Sequence, residues 1–167
     1  MQSLLFYEFK EKDMENTRET MYNIDGQRIT EPYQKASEEF FKGDAPCWDL
    51  LKDADKDGFD IREDIVEVIL PVGTKIIRFG FSSGSYTAPI GTDYEALSLP
   101  YKKESMPYHV YVVKASCSVK LCVVRKGIVA SGFNSQGGAV QFKHPRTIME
   151  ELSLGILEED FSWRKDT

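Results

Sequence analysis

The rhythm of hydrophobic and polar positions changes several times along this chain, and each change predicts an element. The clearest rhythm spans residues 107–114, where Tyr108, Val110 and Val112 alternate with His109, Tyr111 and Val113. Period-two alternation of bulky, β-branched and aromatic side chains predicts a strand. Residues 75–79 are β-branched and aromatic enough for a second strand, set off by a turn at Pro71-Val72-Gly73. Residues 61–70 alternate in part, through Ile65, Val66, Val68 and Ile69, and predict the strand before that turn. Residues 116–125, rich in Val and Cys, and residues 139–143 predict two more, with Ile156-Leu157 as a last short one.

Helical signals are short. Residues 146–154 end at Gly155, and residues 35–42 end at Gly43, each a C-terminal stop. Pro46 opens a third candidate running to Leu51. Residues 94–99 suit a short helix or bend. Asp25-Gly26 centres a small hairpin over residues 22–29. About six strands with a few short helices, spaced too irregularly for βαβ units, predict an α+β fold.

Composition narrows the function classes. At 167 residues the chain suits one well-packed domain and is short for two. Its net charge of −6 argues against a duplex nucleic acid partner, which calls for a basic face. No apolar run approaches the roughly 20 residues needed to cross a bilayer. Residues 1–10 carry a short apolar patch without a basic lead, so no secretory signal is read there. Three cysteines, Cys47, Cys117 and Cys122, form no CxxC and no zinc-like set with His109 and His144. On one continuous strand Cys117 and Cys122 would stand about 16 Å apart, beyond disulfide reach, so free thiols are expected.

Two stretches carry candidate chemistry. Arg78 ends a strand that runs into Gly80-Phe81-Ser82-Ser83-Gly84. Glycines let backbone N–H groups approach an anion, and a guanidinium can clamp a phosphate with two parallel hydrogen bonds. Read alone, the same residues also suit a hairpin loop whose arginine pairs with a surface acid. Asp53-Ala54-Asp55-Lys56-Asp57-Gly58 matches the first half of a calcium loop. The second half fails, with Asp60 where an apolar residue belongs and Asp64 where a bidentate Glu belongs. A solvated acidic turn is the better reading, and calcium at Asp53, Asp55 and Asp57 the minor one.

Blocks further along occur in a telling order. Pro71-Val72-Gly73-Thr74 leads to Arg78-Phe79-Gly80, then Ser83-Gly84-Ser85-Tyr86 and Pro89-Ile90-Gly91-Thr92-Asp93-Tyr94-Glu95. Leu99-Pro100, Pro107-Tyr108-His109-Val110-Tyr111-Val112-Val113 and Gly137-Gly138-Ala139-Val140-Gln141-Phe142 follow. This order resembles the catalytic domain of the tuberculosis necrotizing toxin family of NAD glycohydrolases. The resemblance covers residues 57 to about 160, and Asp57-Gly58-Phe59 matches a turn before that family's first core strand. It implies a central, bent, mainly antiparallel sheet within one domain at residues 34–167, its core at about 57–160, with residues 1–33 as a peripheral extension.

The resemblance also implies residue roles. Arg78 would hold the diphosphate, and Tyr86 would pack on the dinucleotide. His109 matches the histidine of the Pro-Tyr-His-Val-Tyr block, and Gln141 would act near the nicotinamide ribose. Gln141, Arg78 and His109 are thus the catalytic candidates, with Tyr86, Phe79, Gly80, Ser83, Gly84, Gln136, Gly137 and Gly138 added as substrate-binding ones. The cleft is expected between the Gly80–Gly84 and Gly137–Gly138 loops. Two departures stand out: Leu97 sits where the family usually has arginine, leaving Lys102 or Lys103 to supply a cation, and Gln136 competes with Gln141 as the functional amide. NAD or NADP would be substrate, with no metal and no cofactor required. An acidic toxin would need a tight-binding antitoxin, and would act in a target cell's cytosol after leaderless export or delivery as the tail of a larger polypeptide. The alternatives are a non-catalytic dinucleotide-binding relative and an ADP-ribosyltransferase, for which Glu95 and Glu104 are the nearby acids.

Overall fold

In the computed structural model, residues 21–114 and 123–164 are described. A short antiparallel pair, β1 (Phe41–Lys42) and β2 (Ala45–Pro46), precedes the main sheet. The sheet itself holds β3 (Val66–Ile69), β4 (Lys75–Phe79), β5 (Tyr86–Pro89), β6 (Tyr108–Val113), β7 (Val123–Ile128), β8 (Val140–Lys143) and β9 (Leu157–Asp160). Its spatial order is β3-β7-β8-β5-β4-β6-β9, and every pairing is antiparallel. With one six-residue helix, α1 (Ile148–Ser153), among the described residues, this is the expected α+β architecture built on a mainly antiparallel sheet.

Alternation along the strands divides the core in two. On one face Ile76, Tyr111, Val113, Val124, Phe142 and Leu157 pack with Ile148 of α1. On the other face Ile77, Phe79, Ala88, Tyr108, Val110 and Val129 pack with Tyr94, Leu97 and Met106 from the connecting segments. Because β6 is covered on both sides, five of its six residues are buried. The helix starts where Thr147 and Glu150 form a reciprocal capping box, which satisfies the first turn's donors.

Several elements differ from expectation. The strand expected over residues 61–70 is only Val66–Ile69, because Asp60 turns the chain by accepting bonds from the Arg62 amide and guanidinium. The helices expected at residues 35–42 and 46–51 are single 3-10 turns, Glu38–Phe40 and Trp48–Leu50. Residues 94–99 likewise shorten to a turn at Tyr94–Ala96. β5 was not expected as a strand. It takes extended form from pairing with β4 on one side and β8 on the other. The first half of the strand expected over residues 116–125, with Cys117 and Cys122, lies outside the described residues; Cys47 is a free thiol.

The hairpin at residues 22–29 is present as a Tyr22–Arg28 bridge, and it contacts the core. Met21 and Ile29 pack on Phe81, and the Tyr108 amide donates to the Tyr22 carbonyl.

Candidate active site

A cleft of about 730 Å³ opens on the face of β4, β5 and β8 turned away from α1. Its floor follows from register. Tyr86 lies opposite Lys143, and Gln141 lies opposite Gly127. Directly opposed residues in an antiparallel pair share a face, so Tyr86, Lys143 and Gln141 all rise from the same side.

One end of the cleft is the Gly80–Gly84 loop, folded around Arg78. The Arg78 Nε donates to the Phe81 carbonyl at 2.7 Å and Nη1 to the Tyr86 carbonyl at 3.0 Å. A Cβ on Gly84 would sit 2.5 Å from the Arg78 Cζ, so glycine is what admits the guanidinium. At Gly80 φ is +134°, and a Cβ there would meet the Tyr33 hydroxyl at 2.7 Å. That hydroxyl accepts the Phe81 amide. The loop's outer carbonyls are taken as well: the Ile148 and Met149 amides donate to Gly84 and Ser82, and the His144 amide donates to Ser85. Arg78 therefore shapes the loop, and of its atoms Nη2 lies closest to both Gly84 and Gly80. The loop takes two of its five N–H donors.

The opposite wall comes from residues 48–58. Arg125 pairs with both Asp55 and Asp57 and lies over the Phe59 ring, and that ring packs against Gly127. Asp55 also accepts the Asp57 and Phe59 amides. Burial alone would raise its pKa, but bonds from Arg125 and these amides hold the carboxyl below its usual range. Tyr86 moves the other way, pushed up to about 12 by burial first and then by Asp57 and Asp55, so its phenol is neutral at physiological pH. The acidic turn read from sequence is thus fixed by an arginine from β7. Asp53 faces Arg62 at 4.0 Å, so Arg125 and Arg62 engage the three calcium candidates, and among the described residues no group of three His, Cys, Asp or Glu is arranged to hold a metal ion.

Of the residues singled out from sequence, the structure brings Gln141, Arg78, Tyr86, Phe79 and Gly84 to the cleft. Gly80 lies behind the loop against Tyr33, and Ser83 is outside the lining. Gln136 is exposed, and Gly137 and Gly138 fold back on the chain instead of meeting the cleft. The Gly137 amide donates to the Ser135 hydroxyl and the Gly138 amide to the Val129 carbonyl. Residues 97–99 and 48–58 form the walls that the second glycine loop was expected to form. Leu97 is buried and gives the wall an apolar surface; Lys103 is held by Glu95 at 3.6 Å, and neither Lys102 nor Lys103 lines the cleft. Glu95 and Glu104 are outside the lining too. His109 does not reach it either. Buried opposite Arg78 in the β4–β6 register, it places Nδ1 2.7 Å from Glu159 and stacks on Tyr111, leaving Nε2 without a hydrogen bond.

Sequence reasoning missed a buried chain behind the floor. Thr87 Oγ1 lies 2.7 Å from His144 Nε2, and His144 Nδ1 lies 2.6 Å from Glu151. With a carboxylate accepting at Nδ1, Nε2 accepts the threonine hydroxyl. The spacing is that of a nucleophilic triad, but Thr87 shares the α1-side face with Phe142 and is 2% exposed. The chain works as a strut tying β5 to the helix. No sequence motif marks it, because its members are 57 and 7 residues apart.

Comparison with known proteins agrees with this architecture. The family model described as tuberculosis necrotizing toxin matches residues 69–159. A conidial surface nicotinamide adenine dinucleotide glycohydrolase of Aspergillus fumigatus is 33% identical over 104 residues, 58% of this chain and 40% of that protein. The chain thus spans less than half the length of that relative. Tuberculosis necrotizing toxin, solved in complex with its immunity factor, superposes with a TM-score of 0.52 at 19% identity, covering 62% of this chain and 58% of that one, a likeness of fold. On the family match, spanning more than half its length, the chain belongs to the tuberculosis necrotizing toxin family.

Proposed function

We propose that this chain is an NAD(P)+ glycohydrolase, which cleaves the bond between nicotinamide and ribose and releases nicotinamide and ADP-ribose. One observation carries the reading: Gln141, Tyr86 and Arg78, drawn from three different strands, line one cleft. The scissile bond has a cationic pyridinium as leaving group, which departs neutral and needs no acid to protonate it, unlike the oxygen of an O-glycoside. The protein must hold the diphosphate, separate ring from ribose and stabilise the oxocarbenium ion. The Gly80–Gly84 loop with the Arg78 guanidinium at its centre suits the first task. Buried apolar groups at Ala88, Leu97 and Val129 suit the uncharged product ring. Gln141 suits the last, because its amide both donates to a ribose hydroxyl and accepts from water. His109, paired with Glu159 away from the cleft, is assigned no step.

The relative of known structure was solved with an immunity factor, which supports a cognate inhibitor for this chain; action inside a target cell is part of the same proposal. The test is direct. Incubation with NAD and with NADP should release nicotinamide and ADP-ribose in equal amounts. Gln141→Ala should lower kcat by about 10²–10³ with little change in affinity, since its contact strengthens as the bond breaks. Gln136→Ala should behave as wild type. Binding without turnover would refute the reading, and nicotinamide release with ADP-ribosylated protein would replace hydrolysis by transfer.

A further inference from the structure

The cleft is lined by three cationic side chains, Arg78, Lys56 and Lys143, and they are differently engaged. Arg78 gives Nε and Nη1 to the loop it shapes. Lys56 stands exposed on the opposite wall. Lys143 rises half-buried from the floor, its Nζ 4.9 Å from the centroid of the Tyr86 ring. Among the described residues no carboxylate pairs with it, because Arg125, its cross-strand neighbour, takes both Asp55 and Asp57. A half-buried ammonium without a counter-ion loses hydration and regains little, so such a position favours an arriving anion.

We propose that Lys143 binds the phosphate nearest the scissile bond and so sets the register of the dinucleotide against Gln141. The proposal rests on the glycohydrolase reading for the identity of that anion. Lys143 and Gln141 are two residues apart on β8, hence on the same face and about 7 Å apart along the strand. In a dinucleotide a single ribose and its exocyclic methylene separate the glycosidic carbon from the adjacent phosphorus, a span of that order. Tyr86 fixes the ammonium before substrate arrives, because an aromatic face attracts a cation while leaving its N–H donors available. Arg78 and Lys143 then approach the diphosphate from the loop end and the floor, and the apolar walls stay clear for the uncharged ring.

The test measures ADP-ribose binding by calorimetry, which needs no turnover. Lys143→Gln should weaken it about 10-fold or more, the loss expected for one charge-assisted contact, and should flatten its dependence on salt. Lys143→Arg should recover affinity to within about 3-fold, because charge and donors are kept. Lys114→Gln removes the same charge where Lys114 pairs with Glu158 at 3.3 Å, and should bind ADP-ribose as wild type does. Inhibition by nicotinamide alone should be unchanged in every variant. In turnover Lys143→Gln should raise KM and also lower kcat, because the lost contact both binds the phosphate and sets the register against Gln141. Unchanged ADP-ribose affinity in Lys143→Gln, or a parallel loss of nicotinamide inhibition, would overturn the proposal. Absence of turnover in the wild type, with ADP-ribose still bound through Lys143, would overturn only the glycohydrolase reading.

Discussion

Gly84→Ala is the most informative single change, because it moves Arg78 without touching it. Gly84 has no left-handed backbone, so alanine brings no strain of its own; its Cβ simply enters the guanidinium, 2.5 Å from Cζ and 2.9 Å from Nη1. The side chain has to retreat by more than about 1 Å, a displacement that can cost about 10²-fold when it misplaces a substrate-holding group. Retreat also breaks the bonds to the Phe81 and Tyr86 carbonyls. Together these are worth about 2–4 kcal/mol once partial exposure is allowed for. For a domain of this size that corresponds to a fall in Tm of roughly 5–12 °C. Initial rates of nicotinamide release and a thermal melt on the same preparation separate the two effects. The expected result is a folded protein, measurably less stable, with kcat/KM for NAD down about 10²-fold. Activity within about 3-fold of wild type would show that the position of Arg78 does not matter to substrate, and the account of the loop would fail with it.

Two further changes probe the groups beneath and behind the floor. Tyr86 binds its proton more tightly when folded, with a pKa of about 12 against 10.0 for the free side chain, so the stability it contributes is complete below pH 10 and lost as pH rises towards 12. Tyr86→Phe should flatten the alkaline limb of Tm against pH in that window, and an unaltered limb would contradict the assignment. Glu151 is fully buried between His144 and Arg146, so Glu151→Gln should cost about 2–4 kcal/mol in urea unfolding while leaving ADP-ribose affinity unchanged. Equal stability would show that the Thr87–His144–Glu151 chain is no strut.

The parts of the fold legible in sequence are those whose local pattern and tertiary fate agree. β6 alternates strictly and is covered on both faces; β4 and β8 combine β-branched or aromatic residues with glycine punctuation. β5 was hidden because its pattern, a tyrosine and a threonine before Ala88-Pro89, carries no strand signal until two neighbours pair with it. The wall at residues 48–58 was hidden for a related reason. Its position over the cleft depends on Arg125, 68 residues from Asp57, a partnership no local window contains. In the site, Gln141, Tyr86 and Arg78 come from separate blocks of the sequence and line one cleft, while the loop carbonyls that Arg78 holds carry no sequence signal. Lys143 carries no sequence signal beyond ending the strand at residues 139–143, although the two-residue interval from Gln141 is enough to put both on one face.

The loop from Gly80 to Tyr86 has a consequence for how the cleft can move. Its anchors reach Tyr33 just beyond the N-terminal hairpin, the helix through Ile148 and Met149, the end of β8 through His144, and β4 through Arg78. Segments that open independently have few such ties to the remainder of the molecule. This one cannot lift without loosening several elements at once. That end of the cleft is accordingly a rigid template, and on the proposed function a dinucleotide would have to fit a shape already set before it arrives.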